Sequence, residues 1–126
     1  MRTDYPIEIK VVVDYLLEES EPRDNYYVFD YHVFIYNNSD KDIKLLSRQW
    51  VITDGNGHKK EVKGSGVVGE QPCIKKEDMF KYTSTANFST PVGSIYGQYT
   101  MQVMETGELF DAPILPFRLA VPGVLH

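Results

Sequence analysis

Cysteine is almost missing from the sequence. Of 126 residues only Cys73 is a cysteine, and three, His32, His58 and His126, are histidines. One cysteine cannot form an internal disulfide, which fits a reducing compartment and leads to the expectation of a cytoplasmic protein. The histidines lie far apart, with no carboxylate or thiol at ligand spacing, so no metal site is expected. Positive charge is also in deficit. Lys and Arg total 13 against 18 Asp and Glu, a net charge of -5, and the pI is near 5.1. That balance repels phosphate backbones and anionic lipid, and disfavours nonspecific nucleic-acid or membrane-surface binding. Long apolar runs are lacking as well. Lys10 and Asp14 interrupt the run over residues 7–17, leaving neither a signal-type apolar region nor a bilayer span. No G-x-S-x-G elbow surrounds a serine, no Cys/His pair is recognisable, and nothing nominates a nucleophile, so no enzyme is expected.

What is present is ordinary globular material. Apolar residues make up 42%, aromatics 13% and charged residues 25%, enough for one domain over residues 1–126 that hides roughly two thirds of its unfolded surface. The apolar residues alternate. Ile7, Ile9, Val11, Val13 and Tyr15 share one face, and Tyr27, Phe29, Tyr31, Val33 and Ile35 share another, a period that belongs to strands with one wet side. "IKLLSRQWVITDGNG" continues into "HKKEVKG" through a Gly/Asn turn, which reads as a hairpin. "DMFKYTS" and the segments over 95–104 and 109–119 add strands; Pro113 and Pro116 place the last at an edge or crossing between sheets. The polar run "YTSTANFSTPVGS" reads as a solvated loop, with a groove lining as the alternative. About seven or eight strands without an amphipathic helix define an all-β antiparallel sandwich or barrel.

Trp50 reads as a core residue. Arg48, two places before it, points to the same side and must snorkel past the core rim or pair with an acid such as Glu61 or Glu70. The stretch Gly64-Ser65-Gly66-Val67-Val68-Gly69 satisfies G-x-G-x-x-G. A dinucleotide fingerprint needs a helix to open after the glycines. Here Glu70-Gln71-Pro72 follows, and the Rossmann reading fails on context. Two readings remain open. The glycines permit positive φ in a long turn, with Val67 and Val68 tucked onto the core; or successive N–H groups form an anion-binding nest beside Arg48 or Lys63. The tyrosines, Tyr5, Tyr26 and Tyr96 among them, could enrich a protein-binding face.

"LLSRQWVITDGNG", "EVKGSGVVGEQP", "KYTS", "PVGSIYGQYTM" and "PFRLAVPGVLH", in that order and spacing, resemble the bacterial ApaG family over nearly the whole chain. The chain departs from it at Ser65, where the family usually has an acidic residue, and at Lys75-Lys76-Glu77, where it usually has a Pro-Gly turn. The resemblance implies an immunoglobulin-like sandwich of the fibronectin type III kind, without catalysis or cofactor. It also implies a protein-interaction module, since similar domains are fused to F-box proteins and to a polymerase-interacting protein. Bacterial members are associated with cobalt resistance and magnesium efflux. The expectation is a binding module with an unidentified protein partner, a homodimer through a sheet edge being one form. Gly64, Gly66, Val67, Val68, Gly69, Glu70 and Gln71 form the candidate binding loop, and Arg48 and Lys63 are the candidate anion partners. The alternative is a sensor of phosphate, pyrophosphate or a nucleotide that uses the same loop.

Overall fold

A computed structural model describes residues 5–123 of the chain; His126 lies outside the described residues. Eight strands alternate with short turns: β1 Ile7–Tyr15, β2 Tyr27–Asn37, β3 Ile43–Asp54, β4 Lys59–Ser65, β5 Cys73–Ile74, β6 Met79–Phe88, β7 Val92–Val103 and β8 Leu109–Ala120. One sheet has the order β1-β2-β6. The other runs β4-β3-β7-β8, with β5 also on β3, and all pairs are antiparallel. The expected β-sandwich is the fold. Two single 3-10 turns, Leu17–Glu19 and Pro22–Asp24, link β1 to β2.

Alternation dictates which face each strand buries. Phe29, Val33 and Ile35 of β2 and Leu45, Ile43 and Trp50 of β3 meet between the sheets with Tyr99, Met101 and Leu119. Trp50 is the aromatic hub. Its ring stands edge-on to Tyr31 at 6.0 Å, Tyr99 at 5.7 Å and Phe117 at 6.4 Å, each contact worth roughly 0.5–1.5 kcal/mol beyond area burial. The β3–β4 turn is set by Asp54, whose carboxylate accepts the N–H groups of Asn56 at 2.8 Å and His58 at 3.0 Å, with Gly57 at φ +85°. Pro113 and Pro116 do fall on an edge strand, β8, where a missing N–H leaves no ladder bond unmade. The run "YTSTANF" belongs to β6 rather than to a loop. Its threonines alternate outward while Tyr82, Ala86 and Phe88 pack inward, and the strand period prevails over the polar composition.

Four edges result. β1 packs beside β8 and closes one flank. β4 with β5 and β6 bound the other, which stays open.

Candidate functional site

The glycine loop is an excursion along one edge of β3. β4 pairs with β3 up to Ser47↔Ser65, and β5 rejoins the same edge at Lys44↔Cys73. Between them β3 carries a bulge at Leu46, the residue skipped in its pairing with β7. The Leu46 carbonyl is held by the Gly66 N–H at 2.7 Å and the Gln71 side-chain amide at 2.9 Å, and the Leu45 N–H donates to Pro72 at 2.9 Å. At the tip, Val67 and Glu70 exchange two backbone hydrogen bonds of 2.8 and 3.0 Å. The residues between, Val68 at φ +49° and Gly69 at φ +79°, have the signs of a type I′ turn. Val67 is fully buried, whereas Val68 is 62% exposed. Only the first valine tucks onto the core, because reversing the chain at Val68–Gly69 turns the second outward.

Arg48 makes no ion pair with a described residue. Glu61 pairs opposite Val51, on the other face of the sheet from Arg48. The guanidinium instead donates from Nη1 to the carbonyls of Ser65 at 3.1 Å and Gly66 at 2.9 Å. It lies over Gly64, its cross-strand partner. Arginine snorkels here, and glycine at 64 is what lets it reach the edge.

Beyond Arg48 the open flank forms a hollow of about 360 Å³. Trp50 and Tyr31 line it, with Val67 and Val68 of the loop on one side and Tyr82 to Thr85 of β6 on the other. The hydroxyls of Tyr82 and Tyr99 hydrogen-bond to each other across the two sheets. Burial pushes both phenols well above their ordinary range, against weaker opposing pulls from the hydrogen bond to Tyr99 and the Arg48 charge at Tyr82 and from the Arg48 charge alone at Tyr99. Along the same flank a second hollow of about 330 Å³ lies between Ile52, His58, Lys59 and Lys60 on one side and Asn87 to Ser89 on the other.

The two candidate anion partners are not brought together. Gly64 and Lys63 are adjacent on β4, so Arg48 lies on the inner face and Lys63, opposite Gln49, on the outer. Lys63 stands 3.8 Å from Glu61. The N–H groups of Gly66, Val67 and Glu70 are committed to carbonyls within the protein, so they do not converge on an empty position. Gly69 and Glu70 are exposed at the turn. Of the tyrosines, Tyr26 and Tyr96 are exposed, while Tyr5 packs against the core and its hydroxyl donates to Glu108 at 2.8 Å.

One constellation had no sequence signal. On the outer face of β1-β2-β6, His32 bonds the Asp14 carboxylate through Nε2 at 2.9 Å and the Thr83 hydroxyl through Nδ1 at 2.8 Å. These residues are far apart in sequence, and only the strand register joins them. Among the described residues no group of three His, Cys, Asp or Glu could hold a metal ion, and no helix is long and apolar enough to cross a membrane.

The fold and its open flank define a small antiparallel β-sandwich with a glycine-loop clasp. A family model described as the ApaG domain matches residues 17–103. Protein ApaG of Azotobacter vinelandii is 51% identical over 122 residues, covering 97% of this chain and 96% of that protein. Protein ApaG of Pseudomonas syringae pv. tomato is 48% identical over the same span and coverage. A crystal structure of an ApaA protein from Bordetella pertussis superposes with a TM-score of 0.91 at 39% identity, covering 94% of this chain and 96% of that one. The chain belongs to the ApaG family.

Proposed function

We propose that the domain is a non-catalytic binding module that engages a protein partner along its open flank. The observation that carries this reading is Arg48: a half-buried cation with no acidic partner among the described residues, beside an aromatic-lined hollow between two sheet edges. Such a flank offers what β-strand recognition uses, unpaired main-chain groups for affinity and pockets for alternate side chains. The phosphate-sensor alternative draws less support, since the Gly66, Val67 and Glu70 N–H groups already serve carbonyls of the protein and Lys63 lies on the opposite face of the sheet from Arg48. An Asp–His–Thr chain has the order of a hydrolytic relay. On an exposed sheet face, joining three strands by their register, it is better read as a cross-strand tie. In this reading the protein works in the cytoplasm, and any link to cobalt or magnesium runs through the partner.

The test is affinity capture from the source cell with wild type, with a Lys60→Glu/Val68→Asp variant of the flank, and with a Lys10→Glu control on β1. A protein retained by wild type and control but lost by the flank variant supports the reading. The same proteins retained by all three would overturn it.

A further inference from the structure

The flank also specifies what kind of segment it takes, granted that it is a protein-binding surface. Two hydrogen bonds fix the main-chain alternation of β4. The hairpin closes with the Asp54 N–H on the His58 carbonyl at 3.0 Å, and the Gly66 N–H meets the Leu46 carbonyl at 2.7 Å at the far end. In an antiparallel ladder bonded and non-bonded pairs alternate. Lys60, Val62 and Gly64 therefore bond β3, while Lys59, Glu61 and Lys63 turn their N–H and C=O groups to the free edge. Arg48 caps the Ser65 carbonyl just beyond, so the free edge is residues 59–63.

An extended segment added there would turn alternate side chains into the gap between the sheets, beside Gly64, Val62 and Lys60. These three positions differ in chemistry. At Gly64 the occupant of the space is the Arg48 guanidinium; at 62 it is a valine packed against the core; at 60 it is an exposed lysine with no ion-pair partner among the described residues. The cationic ends are separated by four residues, roughly 13 Å along a strand. The edge as a whole is positive: β4 holds three lysines and one glutamate, a net +2, in a chain whose net charge is -5.

We propose that β4 accepts an acidic, extended protein segment as an added strand, with acid, apolar and acid side chains at alternate positions facing Arg48, Val62 and Lys60. A second copy is the poorer occupant, because its own β4 brings the same positive surplus to the edge, and lysines on edges discourage self-pairing. Main-chain bonds come from Glu61 and Lys63, which flank the apolar position. A carboxylate on Arg48 uses donors other than the Nη1 contacts that hold the loop, so the clasp stays closed.

The test uses the full chain, isotope-labelled, and short threonine-based peptides. One carries Asp, Val and Glu at alternate positions. A second has the same composition with the two acids adjacent, and a third has lysines in place of the acids. The alternating acidic peptide is expected to shift the amides of Glu61 and Lys63 and slow their hydrogen exchange, and to bind roughly tenfold tighter than the adjacent-acid peptide. Lys60→Glu is expected to reverse the preference, binding a peptide with Lys at the matching position better than the acidic one. Equal binding of the two acidic peptides would reduce the effect to bulk charge and overturn the proposal. So would shifts confined to another face, no binding at about 1 mM, or a dimer in sedimentation that occupies the edge. If capture depends on the flank but the acidic peptides do not bind, the interaction module stands and the acidic class falls. If capture is flank-independent while the alternating peptide binds, the wider reading falls instead.

Discussion

Arg48 and Gly64 face each other across β3 and β4, and the guanidinium fills the space of the absent side chain. A methyl group at 64 would stand 2.8–2.9 Å from three guanidinium atoms. The two residues therefore act as one unit, and their substitutions should not add. Gly64→Ala displaces the guanidinium and Arg48→Ala removes it; each forfeits the hydrogen bonds to Ser65 and Gly66, at about 1–3 kcal/mol. In urea denaturation the double variant is expected to cost clearly less than the sum of the singles.

The three loop glycines should differ sharply in tolerance. A Cβ at Gly66, where φ is +59°, would lie 1.9 Å from the Glu70 backbone oxygen, whereas at Gly69 nothing stands within 4 Å. Gly69→Ala should cost about 1 kcal/mol for its left-handed backbone alone. Gly66→Ala must break the loop, and is expected to cost several times as much.

Val68 holds a β-branched side chain at φ +49° while 62% exposed. Type I′ turns favour Asn-Gly at the two central positions. Val68→Asn is therefore expected to raise stability by about 1 kcal/mol, read as a higher urea midpoint with an unchanged slope.

The tyrosine pair predicts an alkaline limit. Burial raises the pKa of both Tyr82 and Tyr99. Above about pH 10, the ordinary phenol value, the unfolded chain loses protons that the folded chain keeps, so unfolding is favoured as pH rises. Stability from this pair is complete below that pH and should fall above it. Tyr82→Phe/Tyr99→Phe should flatten the alkaline fall while costing little at neutral pH. Tyr82→Phe alone should cost about 1–3 kcal/mol, because it leaves the fully buried Tyr99 hydroxyl without its partner.

The Asp14–His32–Thr83 tie is expected to contribute little. Thr83→Ala should change stability by less than about 1 kcal/mol and leave hydrolysis of an activated ester at the buffer background. Turnover by wild type that both Thr83→Ala and His32→Ala abolish would make that face an active site.

The long apolar-faced strands were legible because alternation is local: each apolar residue declares its face to its neighbours two places away, a signal that two-residue β5 and the polar second half of β6 do not carry. Trp50 at the centre and prolines on an edge follow from the same local physics. Arg48 was harder. Its position on the inner face follows from Trp50, but its partners are backbone carbonyls, which carry no sequence letter. The outward turn of Val68 was hidden for a related reason. A valine seldom accepts positive φ, and only the Val67–Glu70 pairing and the Leu46 bulge force it. His32 and Thr83 meet only because β2 and β6 pair in one register, which no short-range pattern encodes.

Because β4 and β5 are anchored to the same edge of β3, the chain between them is tethered at both ends like a loop of thread between two stitches. Its tip at Val68–Gly69 can lengthen without moving the register of either strand, at a closure cost that grows only slowly with length. New recognition sequences could be grafted there while the rest of the sandwich is kept.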